Sequence, residues 1–234
     1  MQSITHGKNL GKVTNLSAFM KVGPKTDYTP ARKILGKDFI SAYQIATACR
    51  ILYTKNQLLT LDKKLPDQKT IEAIHDAGMM LVAGPPTAMS TLDIRALHAD
   101  YFCSKGPEKN DPGWYDCTNS VQFASADKIE ALIWIALSKE PVDGSLSKNW
   151  EEQRVLVAEP LDIPNAAEQT WGMACYVAVN KVYLPNKDII VRTNSLDCDG
   201  RNRVCVGNSE GIAVHSLWNR TPDDSLGISA CRRF

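Results

Sequence analysis

The side chains best suited to chemistry in this 234-residue chain are four histidines, seven cysteines, and a cluster of polar residues around one tryptophan near the C-terminus. His6, His75, His98 and His215 are scattered and form no H-x-x-x-H or H-E-x-x-H pattern, so no metal site is expected from them. His75 precedes Asp76 in a predicted helix, where adjacent residues point apart, so no acid–base pair is implied. The "AGPPTAMS" stretch lacks the lysine and glycine spacing of a phosphate-binding loop. Asp197 and Asp199 in "TNSLDCDGR" have the composition of a calcium turn without the downstream glutamate of an EF-hand, and an Asp-rich hairpin turn is the preferred reading.

Cys49, Cys103, Cys117, Cys175, Cys198, Cys205 and Cys231 contain no C-x-x-C pair. One reading makes them mostly buried thiols of a protein in a reducing compartment, the cytoplasm; another pairs Cys198 with Cys205 across a turn. The stretch "GNSEGIAVHSLWNRTPDD" surrounds Trp218 with small hydrogen-bonding residues, among them Asn208, Ser209, Glu210, Asn219 and Asp223. An aromatic anchor ringed by adaptable polar groups is the composition of a recognition surface. A buried tryptophan with solvated loops fits the same residues.

The elements that must position these groups read as an α+β chain. Hydrophobic residues are 44% of the sequence, enough for a proper core, and no apolar run is long enough to span a membrane. Three regions are expected. Residues 1–37 form a basic arm, with seven basic residues and the single acid Asp27, so the arm carries +6 and the remainder −5. Such an arm suits nucleic acid or an acidic partner, or the protein's own acidic body. Residues 38–130 form a helical supporting region, with a helix from Asp38 as N-cap through residue 53, a second ending at Gly78, a buried strand "MMLVAG", and a helix capped by Ser90 or Thr91. Residues 131–234 form a mixed region, possible as one continuous domain with the second. It holds "IEALIWIALS", read as a strand, a short helix at "SKNWEEQ", and a helix after Pro164 with Trp171 and Ala174 on one apolar side. It ends in an antiparallel meander of four strands, "DIIVRT", "NRVCVG", "GIAVHSLW" and "LGISACRRF".

The run of "PNAAE", "IVRTNSLDCDGRNRVCVG", Gly211 with Ile212, Trp218 and "LGISACRRF" resembles a family of short bacterial proteins. Over residues 130–234 it also resembles the C-type-lectin-like fold in its formylglycine-generating-enzyme-like form, the scaffold of the variable proteins of diversity-generating retroelements. The resemblance implies a soluble, non-enzymatic display protein without a cofactor that binds a protein or other macromolecular ligand. It implies binding positions at Asn208, Ser209, Glu210, His215, Ser216, Trp218, Asn219 and Asp223, and framework roles for Gly207, Gly211, Gly227 and Arg232. The alternatives are a formylglycine-generating-type oxidoreductase, for which Cys198 and Cys205 are the nearby thiols, a nucleic-acid-associated protein acting through the basic arm, and a structural subunit of an assembly.

Overall fold

The structure is a computed structural model that describes residues 27–103, 126–186, 188–197, 200–208, 210–220 and 222–234. The first element among the described residues is α1 (Thr29–Leu35), which occupies the end of the expected arm. Tyr28, Ala31 and Leu35 are buried there. The Tyr28 ring meets Phe39 and Trp134 edge-on, and its hydroxyl donates to Asp62. Residues from Tyr28 onward therefore belong to the folded body, while Lys8, Lys12, Lys21 and Lys25 lie outside the described residues.

A single helix from Asp38 is not what forms. Phe39–Ile40 make a short strand, β1, and the helix α2 (Ala42–Cys49) starts only after Ser41. Both side chains of β1 are wholly buried, and the Ser41–Gln44 capping box supplies a better start than Asp38. Asp38 instead accepts hydrogen bonds from Lys139 Nζ (2.7 Å) and the Tyr176 hydroxyl (2.9 Å). Helix α3 (Lys55–Lys64), which sequence reading passed over, opens on a Thr54–Gln57 capping box and buries Leu58 and Leu61. Helix α4 (Gln68–Asp76) is capped by Asp67, and Gly78 takes φ +66° just beyond it, a conformation glycine adopts without strain.

Two four-stranded sheets follow. The first has the order β1–β2–β5–β10, with β2 (Met79–Ala83), β5 (Trp134–Ser138) and β10 (Cys231–Arg233). β1 runs parallel to β2, and the remaining pairs are antiparallel. The expected strand "MMLVAG" and the second half of the expected strand "IEALIWIALS" are its two central members, and every residue from Met79 to Ala83 is buried. A small ribbon joins β3 (Met89–Ser90) to β4 (Lys128–Ile129), next to α5 (Thr91–Leu97), which Ser90 caps as expected. The short α6 (Trp150–Arg154) forms at "SKNWEEQ".

Helix α7 (Ala166–Asn180) forms where expected but is not one-sided: it is buried without a break from Ala166 to Ala178. It passes between elements rather than over a surface, and Gly172 shows how closely. A methyl there would lie 2.3 Å from Leu137 Cδ1 and 2.8 Å from Met80 Cε. The indole Nε1 of Trp171 donates to Ala83 O (3.0 Å) and that of Trp134 to Leu61 O (2.8 Å), so both large aromatics bury without stranding a donor.

The second sheet has the order β8–β7–β6–β9, from β6 (Ile190–Leu196), β7 (Asn202–Asn208), β8 (Ile212–Trp218) and β9 (Leu226–Ile228). The first three form the expected antiparallel meander. Its expected fourth strand divides at Ser229–Ala230: β9 pairs parallel to the far side of β6, and β10 crosses to β5 of the first sheet. Ser229 Oγ donates to Gln169 of α7 (2.8 Å), and Ser138 N donates to Ala230 O (2.9 Å), which fix the crossing point. The α+β class read from the sequence is the class observed. Among the described residues, no helix is long and apolar enough to cross a membrane.

Candidate functional site

The alternation of β6 helps to build a polar concavity beside the second sheet. Val191, Thr193 and Ser195 point inward, leaving Asn194 and Leu196 exposed. These two join Asp127, Ile163, Asn165, Ser195, Asp197, Gly200 and Arg233 around a cleft of about 600 Å³.

Each polar wall is fixed by the element beside it. Asn165 caps α7: its Oδ1 accepts from Glu168 N (2.9 Å), its own N donates to Glu168 Oε2 (2.8 Å), and its Nδ2 donates to Lys128 O (3.0 Å). Ser195 Oγ accepts from Ala166 N (2.8 Å), and Asn194 N donates to Pro164 O (2.8 Å), so strand and helix start are stitched together. The Arg203 Nη1 donates to the Asn194 carbonyl (2.6 Å), while its guanidinium lies 4.1 Å from the Trp150 ring centroid.

Two charged groups set the electrostatics. The Arg233 guanidinium donates to both oxygens of buried Glu168 (2.6 and 2.7 Å) and to Asp162 Oδ2 (2.7 Å). Pairing with Glu168 raises its affinity for the proton further. The Asp197 carboxylate accepts from Ser216 Oγ (2.8 Å), Asn202 Nδ2 (2.7 Å) and the backbone N–H groups of Arg201 and Asn202 (3.3 Å each). Burial works to raise its pKa, but these donors outweigh it and hold the carboxyl below the usual carboxylate range. Asp197 is thus an ionised, saturated acceptor with little capacity to move a proton. The turn that sequence reading set against a calcium site spends this carboxylate on its own donors, and Asp199 lies outside the described residues.

Of the eight positions implied by the resemblance, those described lie near the β7–β8 turn, along β8 and in the segment that leads to β9. Near that turn, Asn208 is buried and donates from Nδ2 to Pro185 O (3.2 Å), Ser209 lies outside the described residues, and Glu210 is exposed at φ +59°. Six residues of strand, about 20 Å at the usual rise, separate this turn from Trp218. His215 sits half-buried opposite Cys205, and desolvation lowers its pKa, favouring the neutral ring. Ser216 bonds to Asp197. Trp218 ends β8 opposite Asn202, and its side chain is outside the described set. The carbonyl of Asn219 accepts from Trp150 N (2.8 Å). The Asp223 carboxylate closes a turn, accepting from Ser225 N (2.8 Å) and Ser225 Oγ (2.6 Å).

Of the eight, Ser216 is tied directly to the cleft through Asp197. Sequence reading missed Asn165, Asn194, Ser195 and Arg233. The N-x-x-E spacing of Asn165 and Glu168 is a legible cap, but nothing local announces that Arg233 returns to it. Cys205, one of the two thiols considered for redox work, is fully buried, which pushes its pKa up to about 12, and Cys198 lies outside the described residues. Comparison with protein-family models, with curated proteins and with solved structures gives no match for this chain.

Proposed function

We propose that the chain is a recognition protein whose macromolecular ligand, a protein or a glycan-bearing one, docks over the β6–β10 cleft and the adjoining end of β8. The observation that carries this reading is the fixed state of the cleft's polar walls. Asn165, Ser195, Asp197 and Arg233 are each held by neighbouring elements before any ligand arrives, which spares a ligand the entropy of ordering them. Saturated Asp197 and doubly paired Arg233 suit hydrogen-bonded recognition better than turnover. Ser216 joins the cleft to Trp218 and Asn219, the half of the expected binding set nearest it. The resemblance to C-type-lectin-like variable proteins of diversity-generating retroelements supports the same use of a fixed framework beneath exposed loops. The buried, weakly acidic Cys205 argues against the formylglycine-generating-type oxidoreductase. Unpaired Cys49, Cys175, Cys205 and Cys231 suit a reducing compartment such as the cytoplasm.

The test is an array of proteins and glycans probed with the wild-type chain and with Asn194→Arg/Leu196→Glu, two exposed positions whose replacement fills the cleft. The expected result is binding to at least one array member that weakens about tenfold or more in the variant. Absence of binding, or binding that the variant leaves intact, overturns the reading.

A further inference from the structure

A second cleft, of about 370 Å³, opens where α2 and α5 end, and Cys49, Arg50, His98 and Tyr101 are among its walls. Cys49 is the last residue of α2 and 5% exposed. Behind it, α7 brings the fully buried Cys175 within hydrogen-bonding reach of the Cys49 thiol. His98 follows the last turn of α5 and is itself 7% exposed, with its ring stacked on Tyr101 at 5.4 Å between centroids. Its Nε2 is enclosed and has no hydrogen-bond partner. An imidazole nitrogen left unsatisfied is costly in a core.

The electrostatics of the pair are unequal. Hydrogen bonding with Cys175 is the largest influence lowering the Cys49 pKa; burial opposes it, and His98 and the Lys181 ammonium assist. Burial raises that of Cys175. The carbonyl end of α2 disfavours a thiolate at Cys49, so the neighbouring donors must offset it.

We propose that Cys49 and Cys175 are a peroxide-responsive dithiol, in which Cys49 attacks a hydroperoxide admitted by this cleft, His98 relays the proton, and Cys175 resolves the product. In the first step the Cys49 proton passes to the His98 ring, whose side chain lies within hydrogen-bonding reach of the thiol. The sulfur then attacks one peroxide oxygen: an S–O bond forms, the O–O bond breaks, and the departing oxygen takes the proton from His98 and leaves as an alcohol or water. Cys49 becomes a sulfenic acid. In the second step the Cys175 sulfur attacks it: an S–S bond forms, the S–O bond breaks, and hydroxide leaves with the Cys175 proton as water. The two thiols lose two electrons, and the hydroperoxide gains them. This site lies at the ends of α2 and α5, apart from the residues lining the β6–β10 cleft, and stands whether or not that cleft binds a ligand.

The experiment treats the full chain under native conditions with near-equivalent hydrogen peroxide, quenches with an alkylating agent, and maps the peptides by mass spectrometry. A linked Cys49–Cys175 peptide should form before half-exposed Cys103 is consumed. In Cys175→Ala, dimedone should trap the sulfenic acid on Cys49. His98→Gln should slow oxidation of Cys49 about a hundredfold. Because a core replacement can disturb folding, the wild-type map decides: if Cys49 stays alkylatable after Cys103 has oxidised, or pairs with a different cysteine, the proposal falls. An unchanged rate in folded His98→Gln removes the relay.

Discussion

The two clefts sit at opposite poles of helices. The β6–β10 cleft surrounds the N-terminus of α7, where Asn165 and Ser195 take up the free N–H groups and Glu168 holds Arg233. The cleft at Cys49 and His98 lies at the C-terminal ends of α2 and α5. In the first, the polar groups are matched to protein partners, and what is left for a ligand is a shaped, hydrogen-bonding wall. In the second, an imidazole nitrogen lacks a partner and two thiols hydrogen-bond to each other.

The sharpest test of that contrast compares thiols. At pH 8 a group with a pKa of about 12, as for Cys205, is ionised in about one molecule in ten thousand. Cys49 should therefore react with iodoacetamide at least about a thousandfold faster than Cys205 in the folded protein. Comparable rates, read by peptide mapping, would erase the distinction. Next in size, Glu168→Ala removes the buried carboxylate that accepts two hydrogen bonds from exposed Arg233 and one arm of the α7 capping box. Urea unfolding should show a loss of about 3 kcal/mol, the upper end for hydrogen bonds to charged groups.

Asp197→Ala strips the acceptor from four donors and should lose about 2 kcal/mol. Its depressed pKa fixes the sign with pH. The stabilisation is present above the carboxyl's ordinary value of 3.8 and is lost as pH falls below it, through the folded value. The wild type should lose stability on acidification below about pH 4, and Asp197→Asn should lose less over the same interval. The smallest effect is expected from Asn165→Ala, which removes the α7 cap for about 1 kcal/mol by thermal or urea unfolding.

Local signals carried much of the architecture. Ser90 and the glycine after α4 marked helix limits because caps are written within four residues, and the apolar runs at Met79 and Trp134 marked the two central strands. The failures were tertiary. Phe39 and Ile40 fit a helical period, yet they became strand because β2 was there to pair with them. Trp171 suggested a one-sided helix, since periodicity does not reveal a helix covered all round. The division of "LGISACRRF" depended on β5, nearly a hundred residues earlier. For the same reason the candidate sites were hardly legible: Arg233 meets Glu168, and Cys49 meets Cys175 and His98, only after the chain has closed on itself. Of the expected binding set, Ser216 shows its link to Asp197, whereas Asn208 serves the core.

The interleaved order β1–β2–β5–β10 draws two strands from residues before Cys103 and two from residues after Ala126. Neither portion owns the whole of this first sheet. A protease that severed the backbone between those residues would leave two polypeptides still clasped through β2 and β5, migrating together on a sizing column and parting only in denaturant.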